Sequence, residues 1–352
     1  ANDWINYGQS YSKFKIAEDG LYRIDHQVLI DAGISVSSID PRSIQLFAKG
    51  EEVPLYVSAE KDGTFDSNDY IEFYGQKNDG WLDTVLYKGR QNQPNPYYSL
   101  FNDTLTYFLT WNSQTNNLRY IESNAIDFSN YFKADFIWKE VVESYNSFYY
   151  DGEILAGGGT DPEYTPSEGW MDAALSLGQS RIKAIVTQNR YNSGPFANLE
   201  IRIAGASNWN RVVGDHHLQV TIGSDTIDRI FEGYDLVTIK KSISPAQIIS
   251  GNNFINIKSI DDRTAQVDRT ALAYIKLTYP HTLSLRNADY YEFLVDDAAN
   301  QNAQFIELLF FNGGNNPVLY DLDTRRKVRI VQTFSSYRAL VPNGNRRRRC
   351  VI

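Results

Sequence analysis

The stretch KDGTFDSNDYIEFYGQ, residues 61–76, runs from a glycine-containing acidic loop into an alternating aromatic segment, and its reading sets the fold class. Asp62, Asp66, Asn68 and Asp69 place hard oxygen donors within one short turn, and Gly63 supplies the positive φ that so tight a loop often requires. From Tyr70 the period becomes two. Tyr70, Glu72 and Tyr74 face one way and Ile71 and Phe73 the other, which predicts a β-strand. The loop fits a hard-cation site, a ligand-facing rim or an Asx-rich turn.

The same preference extends outward along the chain. Its 24 Tyr and 18 Phe, 14% aromatic residues with Trp, are mixed with many Asn, Ser, Thr and Gly, which favours strands and turns over helices. A length of 352 residues exceeds a single ordinary core, so several domains are expected. The formal net charge of −9 speaks against a nucleic-acid partner, because phosphate binding needs Lys and Arg clustered on one face. Only the run from Arg346 to Arg349 breaks the acidic balance. After Pro342, Asn343 and Gly344 it reads as a solvated linker, or alternatively as an exposed processing site.

The single cysteine, Cys350, excludes an intramolecular disulfide framework, a thiolate zinc cluster and a CxxC redox pair. No apolar run approaches the length of a membrane helix, and the start, ANDWINYGQ, has no charged segment followed by an apolar one. The chain therefore reads as soluble, or as a mature form that has lost a signal peptide. Its nearly Cys-free, Tyr- and Asn-rich composition suits an exported bacterial protein.

A mostly β, multi-domain organisation follows. Residues 1–125 read as a mixed, β-rich N-terminal domain. Within it, Phe14 to Ile16, the turn pair Asp19-Gly20 and Leu21 to Ile24 predict a hairpin. One short helix follows, with Asp25 as its cap, Val28, Leu29 and Ala32 on one face and Gly33 at its end. Ile44 to Phe47, Val53 to Val57, Tyr70 to Tyr74 and Thr106 to Trp111 read as strands. Residues 126–280 carry six short strands: Arg181 to Thr187, Ala197 to Ala204, His217 to Ile222, Leu236 to Lys240, Phe254 to Ser259 and Ala271 to Tyr279. Their cadence is that of a central jelly roll or β-sandwich, interrupted by a helical turn from Ser244 to Ile249. Residues 281–352 read as a small C-terminal β unit, with strands at Glu292 to Val295, Gln304 to Phe310, Val318 to Asp321 and Lys327 to Gln332.

Catalytic chemistry is not recognisable in this chain. A nucleophile needs a base beside it, usually His, and there are four: His26, His216, His217 and His281. Strand alternation sends His216 and His217 to opposite faces, so the pair cannot serve one site. No GxSxG, HExxH, P-loop or GxGxxG pattern is present. Cys350 is a poor nucleophile candidate, although the basic run before it could depress its pKa. Two binding chemistries stay open. Asp62, Asp66, Asn68 and Asp69 could hold Ca²⁺, although the loop lacks the EF-hand pattern. Trp170, Trp209, Tyr191 and Tyr164 lie in Gly-, Asn- and Ser-rich loops, and flat aromatic faces on a jelly roll can stack against sugars in a carbohydrate-binding module.

Several ordered segments carry a resemblance: Asp19-Gly20-Leu21-Tyr22-Arg23-Ile24 with Ala32-Gly33-Ile34, the block from Asp62 to Gln76, Tyr107-Phe108-Leu109-Thr110, Ser167-Glu168-Gly169-Trp170, His216 to Val220, Ala273 to Pro280, Pro317 to Leu322 and Tyr337 to Pro342. Together they resemble the non-catalytic N-terminal half of gingipain-type cysteine peptidases of Bacteroidota, in particular PorU-type sortases of the type IX secretion system. The resemblance implies that the catalytic Cys and His lie in a downstream caspase-like α/β domain, of which nothing is recognisable here. It also implies export, display at the outer surface, and partners in an outer-membrane secretion or attachment assembly. Asp83-Thr84-Val85, Asp103-Thr104-Leu105 and Asp225-Thr226-Ile227 resemble the O-glycosylation sequon of exported proteins of that phylum, which implies modification at Thr84, Thr104 and Thr226.

Overall fold

Strand Ala197–Gly205 illustrates how period-two patterning builds this protein. Leu199, Ile201 and Ile203 are buried and Asn198, Glu200 and Arg202 take the other face. A computed structural model describes residues 2–352, and the fold it gives is mostly β, with several sheets and one α-helix among the described residues. Internal contacts divide the chain into two units. The first combines Ala1–Asp79, Asn102–Ala134 and Leu285–Ile352; the second combines Gly80–Phe101 with Asp135–Ser284.

The second unit is a β-sandwich. One sheet runs Leu236–Ile243, Ala197–Gly205, Arg269–His281 and Ile137–Ser144, all antiparallel. The other runs Ser180–Thr187, Gly251–Ser259, His216–Ile222 and Asp225–Phe231, also antiparallel. Ile201, Ile239, Ile275 and Leu277 from the first sheet and Ile185, Leu218, Val220, Ile255 and Ile257 from the second form one core. Each fully buried aliphatic side chain contributes roughly 1.5–3 kcal/mol, so this layer dominates the stability of the unit. The hairpin His216–Ile222 to Asp225–Phe231 turns through Gly223, whose φ of +56° is the left-handed value that two-residue hairpin turns require.

The first unit contains smaller sheets. Ser12–Ile16, Leu105–Trp111, Ile44–Ala48 and Glu51–Val53 form one; Gly20–Asp25, Tyr70–Gly75 and Tyr56–Val57 form another. Glu292–Val295, Arg348–Val351, Leu319–Asp321, Arg326–Val328 and Ile121–Ser123 pair in that order, the last pair parallel. Ala303–Phe311, Ser336–Pro342 and Ile330–Gln332 pair antiparallel.

Four local expectations are corrected here. Phe14 to Ile24 is not a hairpin, because Ser12–Ile16 pairs with Leu105–Trp111 whereas Gly20–Asp25 pairs with Tyr70–Gly75. The helix His26–Asp31 buries only Leu29. Val28 is 52% exposed, and Asp25 makes no side-chain cap bond. Tyr70–Gly75 is central in its sheet and buried on both faces from Ile71 onward, so its alternation does not separate core from solvent.

The run from Arg346 to Arg349 is not a solvated linker. Arg348–Val351 is a paired strand in which Arg348, Cys350 and Val351 have no exposed surface. The Arg348 guanidinium lies 3.0 Å from Asp297 and 3.7 Å from the fully buried Asp321, and donates to backbone carbonyls of Val341, Pro342 and Asp296. Arg346 and Arg347 pair outside with Asp323 and Asp296.

Candidate functional site

In the acidic loop two of the four oxygen donors, Asp62 and Asp69, shape the backbone. Asp62 Oδ1 accepts from Thr64 N at 3.0 Å, an Asx turn, and Gly63 has φ +80°. Asp69 does more: Oδ1 accepts from Ser58 Oγ at 2.6 Å, Oδ2 accepts from Asp66 N at 2.8 Å, and Ser58 Oγ accepts from Tyr70 N at 2.9 Å. This chain of bonds fixes where the strand Tyr70–Gly75 begins. The Asp66 and Asn68 side chains are exposed. No group of three or more His, Cys, Asp or Glu among the described residues is arranged to hold a metal ion.

The strand that follows carries a buried charge cluster that sequence reasoning missed. Glu72 is 5% exposed in a strand flanked by the fully buried Ile71 and Phe73. Arg23 Nη2 and Tyr320 Oη each donate to it at 2.6 Å, and Lys327 Nζ lies 3.2 Å away. Lys327 also sits 3.1 Å from the centroid of the Tyr56 ring, and the Arg23 guanidinium lies 4.0 Å over Tyr70. Burial alone would raise the Glu72 carboxyl. Lys327, Tyr320 and Arg23 together hold it below the ordinary range, while burial pulls Lys327 down against the pull of Glu72. A carboxylate between two large apolar residues of a strand is the sequence signal; its partners carry none.

The histidines do not assemble a catalytic site. His26 packs parallel to Phe65 with ring centroids 6.2 Å apart, and His281 is buried with Nδ1 2.5 Å from Thr282 O. His216 is fully buried, and His217, on the opposite face, sits between Asp262 at 2.9 Å and Asp228 at 3.3 Å. Ser259 Oγ donates to Asp268 Oδ2 at 2.6 Å, so the hydroxyl beside His216 is spent on the carboxylate. Burial, then the charge of Asp321, pushes the Cys350 thiol well above its usual pKa. The opposing pull of Arg348, the one way the basic run could have depressed the pKa, is outweighed.

The loop aromatics are scattered. Trp170 packs edge-on against Tyr149, with centroids 5.3 Å apart, and Tyr164 packs edge-on against Tyr87. Tyr87 Oη donates to Glu168 O and Tyr149 Oη to Glu168 Oε1, so these four rings share one neighbourhood. Tyr191 stacks on Phe136 at 5.5 Å, and Trp209 lies in the loop before His216–Ile222 with its N–H bonded to Asp215. The three candidate sugar platforms Trp170, Trp209 and Tyr191 are thus held by separate partners. Of the threonines, Thr226 is exposed. Thr84 Oγ1 donates to Trp81 O, and Thr104 Oγ1 donates to Asp103 Oδ1.

No protein-family model matches the sequence, and no curated protein matches it. The fold is similar to that of dimeric latent PorU from Porphyromonas gingivalis, with a TM-score of 0.60 at 12% identity over 97% of this chain and 32% of that one. This chain therefore spans about a third of the PorU chain that it matches, and it has a PorU-like fold. The CBM36-1 domain of a multidomain xylanase from the hindgut metagenome of Trinervitermes trinervoides matches 40% of this chain and 96% of its own at 14% identity. Its TM-score of 0.23 carries no argument about fold.

Proposed function

We propose that this chain is the non-catalytic β scaffold of a PorU-like cell-surface protein of Bacteroidota. It makes protein–protein contacts in type IX secretion or surface attachment, and peptidase or sortase chemistry belongs to a downstream domain. The observation that carries this reading is the likeness of fold along 97% of the chain. The enclosed Cys350 and the structural bonding of the histidines accord with it. No helix among the described residues is long and apolar enough to cross a membrane, which fits attachment through partners. Thr84, Thr104 and Thr226 are the proposed O-glycosylation positions, to be checked by glycopeptide mass spectrometry of material from the native host.

The test has two arms. Purified 352-residue chain is assayed on a broad peptide and glycoside panel, and intact cells are shaved with protease and probed for the protein. No turnover together with surface accessibility is expected. Turnover abolished by a point substitution in this chain would overturn the scaffold reading.

A further inference from the structure

His216 opens the strand His216–Ile222 and has no exposed surface. Its Nδ1 lies 2.5 Å from Asp268 Oδ1, and its Nε2 lies 2.7 Å from Gly233 O and 3.0 Å from Ser207 O. Backbone carbonyls can only accept, and the second oxygen of Asp268 already accepts from Ser259 Oγ. A neutral imidazole has one N–H. Against an ionised Asp268 it would leave its other nitrogen's lone pair facing an oxygen lone pair in a buried site, so with Asp268 as a carboxylate the geometry calls for a proton on both nitrogens.

The surroundings favour that extra proton. Asp215, 1% exposed, lies 3.7 Å from Nε2 and accepts from Gly233 N at 2.7 Å and Trp209 N at 2.6 Å. The Phe231 ring stacks on the imidazole at 4.7 Å. Gly205 completes the enclosure, since a Cβ there would come within 1.7 Å of Gly233 O. The charged groups facing His216 are the two carboxylates. Further out, Glu232 accepts from Gly214 N, and Arg263 donates to Gly214 O and Val213 O at 2.9 Å. His217, with Asp228 and Asp262, lies on the opposite face of the strand. Burial opposes the charged ring, but Asp268, then Asp215 and Gly233 O, outweigh it and raise its pKa above the ordinary value.

We infer that the doubly protonated His216 is a proton-operated latch on the loop 206–215. It cross-links the loop to Gly233 and Asp268 when charged and releases it when the proton is lost. The loop presents a half-buried Trp209, an exposed Arg211 and Val213, which is 86% exposed, so release changes what this end of the sandwich offers a partner. This inference does not rest on the scaffold reading.

The sign follows from linkage. A group whose pKa is raised by folding holds the structure fully below its unfolded value of about 6.5, and that contribution is lost as pH rises from there through the folded value. The experiment is NMR of the full chain from pH 6 to pH 9.5, reading the His216 ring nitrogens and the exchange of the Trp209 and Gly233 amides, corrected for intrinsic rate. Both ring nitrogens are expected to be protonated at pH 7, and local opening is expected to rise about tenfold per pH unit above roughly 6.5 until the ring titrates. Asp268→Asn is expected to move the midpoint down by at least about one pH unit, and His216→Gln to abolish the pH slope. If His216→Gln does not fold, the wild-type titration decides alone. A bare ring nitrogen at pH 7, or amide protection unchanged while the ring titrates, would overturn the latch.

Discussion

Tyr320 Oη donates to Glu72 Oε2 at 2.6 Å, joining residues 248 positions apart in the sequence. Burial pushes the Tyr320 hydroxyl above its ordinary pKa and the Glu72 charge adds to this, which favours the protonated phenol that donates to Glu72. With Lys327 and Arg23 it makes the one buried carboxylate of the strand Tyr70–Gly75 tolerable.

Tyr320→Phe is expected to cost about 1.5–3 kcal/mol, the range for a hydrogen bond to a charged group. Glu72→Ala is expected to cost about 3–5 kcal/mol, because it leaves the mostly buried Lys327 without its counter-ion. The Glu72 carboxyl is depressed on folding, so its contribution is present above pH about 4.5 and fades as pH falls through the folded value. Urea denaturation should therefore show the gap between wild type and Glu72→Gln narrowing from pH 7 to pH 3.

Arg348→Ala is expected to lose about 3–5 kcal/mol, since it strands the fully buried Asp321 beside an empty volume. Arg348→Met, which refills the space, should recover part of the loss. A guanidinium titration of the three proteins checks the order, and equal stability of wild type and Arg348→Ala would refute the account.

Cys350 should be inert in the native protein. Its enclosure and raised pKa predict no labelling by a thiol reagent at pH 8, with stoichiometric labelling once the chain is unfolded. Mass spectrometry before and after denaturant reads both states.

For the acidic loop, Asp69→Ala removes two acceptors and is expected to lower stability by about 1–2 kcal/mol. Calcium at Asp62, Asp66, Asn68 and Asp69 would add a second signature, since an ion bound only by the native state raises the melting temperature with its concentration. From the backbone bonding of the loop, the expected outcome is the same Asp69→Ala loss in EDTA and in millimolar Ca²⁺. A calcium-dependent loss would establish the ion site instead.

The fold was legible where burial is one-sided. Strands such as Ala197–Gly205 and His216–Ile222 alternate cleanly because one face meets the sandwich core and the other does not. Pairing was not legible for Phe14 to Ile24, where Asp19-Gly20 has the chemistry of a hairpin turn but both flanking strands prefer partners far away in sequence. Nor was Arg348, whose burial depends on Asp297 and Asp321, residues with no sequence relation to it. Among the site residues, the opposite facing of His216 and His217 follows from the period of the strand. The Asp268, Gly233 and Ser207 contacts of His216 depend on three separate connections meeting at one point.

The interleaving of the two units sets an order of events during synthesis. The segment up to Asp79 shares its unit with Leu285–Ile352, while the whole of Asp135–Ser284 lies between them in the chain. During synthesis the N-terminal strands can pair among themselves, but the side chains of Tyr74 and Tyr120 lack the cover of Tyr320 and Val351 until the chain has passed Leu285. The Tyr320 bond to Glu72 is then a late event that closes the unit. A truncation before Leu285 should leave the apolar face of Tyr70–Gly75 uncovered and Glu72 without Tyr320 and Lys327, and so prone to aggregation, even though its strand pairing is intact.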